Sequence, residues 1–524
     1  MCCPKLIRTP HRRSDRSLAR WRVVERGWDA RTTQDKWNMG EKPMSRMHAD
    51  YEILPELLAE ARRLAVDFHA GLKDRPVGAR NPVMAPQVLP DEGGGALSAL
   101  KQFEQTVAPQ LSASAGPRYF GFVTGGATPA SLAADWLVSS ADQNSPDPGD
   151  SIGPALSHQT IAMMADLFDL PYSQGGGKDG FGGTFTTGAI GANYLGAACF
   201  REWAGRMNGL EVTRDGLGEL LQPGAVEIFS ASPHVTMVKA LGVLGFGRKG
   251  YTDIGKQPGR EAMDVAALDR ALSNSKARAK VVIASAGIVS TGDFEDLTAI
   301  ADLCDRHEAW LHVDGAFGLF ARCSPRLAPL VTGVERADSI TTDCHKWLNV
   351  PYDCGLFFTR HIDLLETAML LTAPYLEMDG AVPSFINRTM ESSQRLRSLP
   401  VWMSLHAYGR EGVREIVERT CTLAGEMGKR IDALDGYELL APVRLNIVIF
   451  RGVLGDDAES NAGQKALLDA INATGKVYVT PGLLHGKSGI RAAFSNWMTG
   501  PEDVEIFADA LTEARAAVAS EGEA

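Results

Sequence analysis

Two residues in the middle of the chain invite a chemical reading. Asp314 closes the apolar run "AWLHVDGA". Lys346 stands 32 residues later in "ADSITTDCHKWLNVPYDCG", between His345 and Trp347. Lysine is among the side chains least often buried, yet this one lies between two strand-like runs, "DSITTD" and "GLFFTR". An acid and an amine at the ends of neighbouring strands can form a structural ion pair. They can also serve pyridoxal phosphate, the lysine as a Schiff base and the acid keeping the pyridinium nitrogen protonated. The small residues after Asp314 leave room for a third group, although an Asp capping its own loop would have the same neighbours. Spacing alone leaves these alternatives open.

The elements that must position this pair follow from the pattern of the chain. "VEIFSAS" precedes the helical "PHVTMVKALGVLG", "KVVIASAG" precedes "DLTAIADLCDRH", and "AWLHVDGA", "DSITTD" and "GLFFTR" follow. This alternation predicts an α/β domain with a mostly parallel sheet. Ligands of such sheets bind beyond the carboxyl ends of the strands, where Asp314 and Lys346 fall. Upstream, Leu54, Leu57, Leu58, Ala61, Leu64, Ala65 and Phe68 repeat at helical spacing. Downstream, a long helical region from Pro400, the strand-like "VRLNIVIFRG" and "GIRAAFS", and a last helix from Pro501 predict a smaller α+β domain. Pro501 suits a first turn, and Glu502 and Asp503 complement the helix dipole there. The expected division is a basic, disordered leader (1–47), an N-terminal helical segment (48–115), a large domain (116–375) and a small C-terminal domain (376–524).

Composition bounds the function. A net charge of −11 argues against nucleic acid as the main partner. The charge is uneven, with 12 Lys/Arg against 5 Asp/Glu in residues 1–47. The eight cysteines form no C-x-x-C pair and no zinc spacing, so no metal is expected. Scattered thiols and the lack of a membrane-length apolar run predict a cytoplasmic, membrane-free protein. "GFGRKG" at 245–250 matches G-x-G-x-x-G, but it follows a helix and no helix opens after it, the reverse of a dinucleotide site. "GGGKD" at 175–179 lacks the hydroxyl and the immediate helix of a phosphate loop, and no G-x-S-x-G elbow occurs.

"HVDGAFG" followed by "ADSITTDCHKWLNVPYDCG" resembles the group II pyridoxal-phosphate amino-acid decarboxylases, which include the aromatic amino-acid and glutamate decarboxylases. The resemblance runs over most of residues 50–515. It includes "RYFGFVTGGATPASLAADWL", "GDFEDL", "SQRLRSLPVWMSLHAYGREG" and "RAAFSN". It implies the aspartate-aminotransferase-like fold (fold type I), pyridoxal 5'-phosphate as cofactor, decarboxylation of an L-amino acid to its amine, and a homodimer. Other outcomes on the same scaffold are a different pyridoxal-phosphate lyase or an aldehyde synthase. A cofactor-binding regulatory protein without catalysis is the rival of another class.

The resemblance assigns roles residue by residue. Lys346 matches the Schiff-base lysine, Asp314 the acid at the ring nitrogen, and His234, in "SASPHVTMVKAL", the histidine stacked on the ring. Local pattern alone makes His234 a first-turn residue, with Ser232 as cap and Pro233 at N1. Thr187, Gly188, Ala189 and Ile190 match the phosphate turn, where free N–H groups and the helix dipole bind an anion. Family members often carry Ser or Thr at Ile190 and an acid at Gly191, so a side-chain donor is missing here. Asp343 falls where relatives have Asn or Asp near the cofactor, and a second anion there needs an intervening proton or water. His345 serves either the phosphate or substrate, or supports the lysine. Thr124, Ser290 and Thr291 lie in segments that line the pocket. Val289 replaces a hydroxyl residue common in aromatic decarboxylases. Arg491, in "GIRAAFSN", matches an arginine that serves either the substrate carboxylate or the architecture. Tyr375, 29 residues after Lys346, matches a loop tyrosine that protonates the carbanion left by carbon dioxide.

Overall fold

The computed structural model describes residues 45–78, 82–145, 151–371 and 382–522. Tyr375 and nearly all of the basic leader lie outside them. The chain separates into two units, one of residues 1–64 and 88–104 and one of residues 65–87 and 105–524.

In the first unit a helix spans Arg46–Glu52, and a second begins at Leu54 and runs to Ala70. Asp50 Oδ2 accepts a bond of 3.0 Å from Ala96 N at the start of the Ala96–Gln102 helix. Arg63 pairs with Glu60 and Glu104. The apolar stripe read from the sequence is present, but none of it is buried; Leu58 is 53% exposed and Tyr51 72%.

The second unit holds two sheets. Seven strands form the larger: β1 (Gly182–Thr186), β2 (Val226–Ser230), β3 (Thr252–Asp253), β4 (Ala279–Ser285), β5 (Trp310–Asp314), β6 (Ser339–Asp343) and β7 (Gly355–Thr359). Their order is β1-β7-β6-β5-β4-β2-β3. The run from β6 to β3 is parallel, whereas β7 is antiparallel to both β6 and β1. The five central strands are the runs predicted from the sequence. Strand β1 was not expected, because its residues were read only as a phosphate turn. The short Cys344–Cys354 connection cannot carry a parallel crossover, so the chain turns back as an antiparallel strand.

Both faces of this sheet are covered. The helices Gly153–Leu167 and Leu297–His307 and the start of the Ser398–Ala433 helix pack on one face, in a core with Phe168, Phe320, Trp347 and Phe358. The helices Ala189–Met207 and Val235–Val243 cover the other, against Phe200, Met237, Ile283 and Phe357. Strands buried on both sides read as continuous apolar runs, which is why they were legible.

The smaller sheet is antiparallel, in the order β10-β11-β9-β8: β8 (Tyr437–Leu439), β9 (Ile447–Gly452), β10 (Thr480–Leu484) and β11 (Lys487–Ala493). The helices Ser398–Ala433, Asp457–Ala473 and Pro501–Gly522 close its core around Phe450, Phe494 and Phe507.

Candidate active site

Lys346 sits in the one-turn helix Cys344–Trp347, directly beyond the carboxyl end of β6. The residues around it fix that turn. Trp347 is fully buried and donates from Nε1 to Thr420 Oγ1 at 3.0 Å, so it anchors the turn to the long Ser398–Ala433 helix. Asn349, at φ 58°, donates to the Trp347 and Ser495 carbonyls and accepts from Trp497 N. A side chain at Gly125 would strike the Lys346 carbonyl, so glycine there lets the Thr124–Gly126 segment lie against the lysine backbone. The ammonium lies 2.9 Å from Asp343 Oδ2, in a side chain still 20% exposed. It is therefore held from one side and open on another.

His345 faces the same carboxylate, with Nε2 3.6 Å from Asp343 Oδ2. Its Nδ1 accepts from Cys354 N at 3.1 Å, so the proton of the neutral ring is on Nε2. Burial lowers the pKa of this imidazole below its ordinary value, with Asp343 pulling the other way. Tyr352 covers the ring at 4.4 Å and points its hydroxyl at Thr124 Oγ1, 3.5 Å away.

Asp314 ends β5 beside β6, paired in register with Thr341. Its Oδ1 accepts from Ala316 N at 3.1 Å, the loop-capping bond that local sequence suggested. Its Oδ2 accepts from Asn193 Nδ2 at 2.9 Å, a partner on the Ala189–Met207 helix. Asn193 is completely buried and also donates to Thr236 Oγ1 at 3.0 Å. Its Oδ1 accepts from Thr341 Oγ1 at 2.9 Å and from His312 Nε2 at 3.1 Å. Burial drives the His312 imidazole down to about 4, so that ring is neutral.

His234 is the cap of the Val235–Val243 helix; Ser232 is not, and Pro233 lies outside the first turn. The imidazole does the capping, with Nδ1 accepting from Thr236 N at 3.3 Å and lying 2.8 Å from Thr236 Oγ1. Burial holds this ring below its ordinary value as well; Asp314 opposes that shift, and Lys346 and Arg491 add to it. These influences place His234 among Asp314, Lys346, Asp343 and Arg491.

An anion cradle opens beside them. Thr187 and Gly188 lead from β1 into the nineteen-residue Ala189–Met207 helix. The first-turn N–H groups, including those of Ala189 and Ile190, have no carbonyl partner within the helix. A Cβ at Gly188 would stand 3.0 Å from His345 Cε1 and 3.5 Å from Asp343 Oδ1. A Cβ at Gly355 would strike Gly188 itself. Both glycines keep the cradle clear. Asp343 Oδ1 is buried without a hydrogen-bond partner, so the pocket holds an acceptor waiting for a donor. Free amides, a helix start, an adjacent lysine and a carboxylate further along the sheet edge together suit a phosphorylated pyridine aldehyde.

The remaining candidates form the rim. Thr124 is buried and joined to Ser495 through its carbonyl. Arg491, on β11, donates from Nε to the Val289 carbonyl and from Nη1 to the Phe122 carbonyl at 2.8 Å. Its Nη2 has no partner, and burial pulls the pKa of the guanidinium down to about 10. Ser290 stands half-buried next to Val289, whereas Thr291 turns away and donates to Glu261 at 3.0 Å. The sequence reading missed Asn193, Thr236 and Tyr352. Only Asn193 carried a signal, an amide inside the small-residue helix "AIGANYLGAA", where such side chains are disfavoured without a partner.

Comparison with known proteins bears on the family and the fold. Residues 80–453 match the model of the pyridoxal-dependent decarboxylase conserved domain. The chain is 27% identical over 475 residues to an aromatic-L-amino-acid decarboxylase of Bacillus atrophaeus, covering 86% of this chain and 93% of that protein. It is 27% identical over 443 residues to an L-2,4-diaminobutyrate decarboxylase of Rhizobium meliloti, covering 81% and 83%. The fold superposes on Oryza sativa TDC, solved with PLP and tryptamine, at a TM-score of 0.80, with 23% identity over 88% of this chain and 98% of that one. The chain belongs to the pyridoxal-dependent decarboxylase family and is a pyridoxal-phosphate-dependent amino-acid decarboxylase.

Proposed function

We propose that the chain decarboxylates an L-amino acid with a large apolar or aromatic side chain, and that Lys346, Asp314 and His234 carry the reaction. The observation behind this is their convergence at the carboxyl ends of β5 and β6, next to a free helix start. The cofactor supplies an electron sink for the bond that loses carbon dioxide. Lys346 is its covalent anchor, and the Asp314 carboxylate keeps the ring nitrogen protonated. His234 would stack on the ring, Gly188, Ala189 and Ile190 with Thr187 would hold the phosphate beside His345, and Asp343 would reach the cofactor through an intervening proton or water. Arg491, through its free Nη2, orients the substrate carboxylate, with Thr124 and Ser290 on the rim. Tyr375 is the proposed proton donor to Cα.

The substrate class follows from what stands near the lysine. Phe122, 62% exposed, and Val289, 38% exposed, hold the buried Arg491 through their carbonyls, and Tyr352, 57% exposed, lies against His345 next to the lysine. Asp314 and Asp343 are already engaged by Asn193 and Lys346. A cationic side chain would meet the Arg491 guanidinium, whereas a ring would meet apolar surface. Relatives named for aromatic substrates and for 2,4-diaminobutyrate are equally similar at 27% identity, so the choice rests on these side chains.

We further propose a cytoplasmic homodimer, with the division into leader, N-terminal segment, large and small domains set out above. Two separate sheets support the last boundary. Free buried thiols at six described cysteines, and no described helix long and apolar enough to cross a membrane, favour the cytoplasm. An apolar groove of about 640 Å³, walled by Val66, Leu132, Trp136 and Trp497, supports association with a second copy.

The test is carbon dioxide release from a panel of L-amino acids, with products assayed as amine, aldehyde and ammonia. Aromatic substrates are expected to lead, with amine as product. Lys346→Ala is expected to abolish turnover and the visible absorbance of the bound cofactor. Preference for 2,4-diaminobutyrate would overturn the substrate class, and full activity of Lys346→Ala would overturn the site.

A further inference from the structure

We propose that Asn193 is a positioning residue that sets Asp314 and His234 together, fixing His234 as a neutral ring with its proton on Nε2. This inference rests on the reading that those two side chains flank the cofactor.

The hydrogen bonds run in one direction. Trp310 Nε1 donates to Ser339 Oγ at 3.3 Å, and Ser339 donates to His312 Nδ1 at 2.8 Å. His312 therefore carries its proton on Nε2 and gives it to Asn193 Oδ1 at 3.1 Å. Thr341 donates to the same oxygen at 2.9 Å. With two donors on its oxygen, Asn193 has only one orientation, and its amide N–H groups face the site. One goes to Asp314 Oδ2 at 2.9 Å, the other to Thr236 Oγ1 at 3.0 Å. Thr236 Oγ1, occupied as acceptor, points its own proton at His234 Nδ1, 2.8 Å away. The Thr236 backbone N–H reaches the same nitrogen. His234 Nδ1 is thus an acceptor only, and the ring faces the pocket through Nε2–H.

All four hydrogen-bonding positions of the Asn193 amide are filled, three by the buried Asp314, His312 and Thr341 and the fourth by the half-buried Thr236. A buried network satisfied this completely holds its members to one geometry. Space for it is built in, because a side chain at Gly196, one turn along the same helix, would strike the His312 ring. The network spans two helices and two strands, so the two functional groups cannot shift independently.

The charged groups facing His234 are Asp314 on β5, Asp343 on β6, Lys346 on the following turn and Arg491 on β11. They differ in sign and do not choose between the two ring nitrogens. Thr236 does.

The experiment is nitrogen-15 NMR of histidine-labelled holoenzyme across pH, with the His234 signal assigned through His234→Gln, and the cofactor absorbance followed in parallel. Wild type is expected to hold the Nε2–H form to low pH. Thr236→Val removes one donor to Nδ1, so tautomers mix and the ring takes up a proton at a pH higher by roughly half a unit or more. Thr236→Ser restores wild-type behaviour. Asn193→Ala reproduces the Thr236→Val spectrum and also weakens pyridoxal phosphate binding to the apoprotein by about tenfold, through the loosened Asp314. Wild-type His234 signals in both Thr236→Val and Asn193→Ala would overturn the inference. If instead His234→Gln and Asp314→Asn leave the cofactor spectrum unchanged, the reading of the site itself fails.

Discussion

Arg491 has two of its donors on backbone carbonyls and a third on nothing. A buried cation without a carboxylate is costly, and proteins keep such groups where an anion arrives later. Its two bonds also tie β11 to the Phe122 and Val289 loops, so it is a brace, and the proposed role of carboxylate receptor falls to the free Nη2. Arg491→Met is expected to destabilise the protein by about 2 kcal/mol, because two backbone carbonyls lose a charged donor. It should also raise KM for the amino acid more than it lowers kcat. Urea unfolding and steady-state kinetics check both, and a stable variant with unchanged KM would remove Arg491 from the site. At this scale the sequence was informative where chemistry needs a rare residue type in a rare place, as with Lys346, Asp314 and His234. Asn193 and Thr236 are ordinary residues on ordinary helices. Their importance lies in partners more than forty residues away, which local spacing cannot reveal.

The elements divide in the same way. β2, β4, β5, β6 and β7 were readable as apolar runs because helices bury both their faces. β1, "GGTFT", carries two glycines and little apolar signal, so it was visible only as the approach to a phosphate turn. Its place is set by β7, which returns antiparallel and brings Gly355 against Gly188. That contact aligns the cradle with the lysine turn, since the same β6–β7 connection carries Lys346. Gly355→Ala would force the two backbones apart. Overpacking of this kind costs about 1–3 kcal/mol, so pyridoxal phosphate affinity should fall roughly tenfold or more. Equilibrium titration of the apoprotein with the cofactor measures this, and unchanged affinity would mean that the cradle does not depend on the β1–β7 register.

At the scale of the whole molecule, the surface leaves apolar side chains without cover. Trp136 is 40% exposed and Leu137 53%, on a helix whose neighbours Val66 and Leu132 line the same groove. Monomeric proteins seldom keep a patch of this kind in water. A second copy is the occupant proposed here, because identical chains pair most often through a self-complementary face. The sequence predicted association only through family resemblance, since apolar residues facing a partner and apolar residues facing a core have the same periodicity. The groove makes the expectation specific. Light scattering of the full chain should give about twice the 56.3 kDa chain mass. Trp136→Glu places a charge in the groove, far in sequence from Lys346, and is expected to shift the equilibrium to monomer. If the site is completed by the partner, carbon dioxide release should fall with the dimer fraction and recover at high protein concentration. A Trp136→Glu variant that stays dimeric would move the interface elsewhere, and an active monomer would separate the chemistry from assembly altogether.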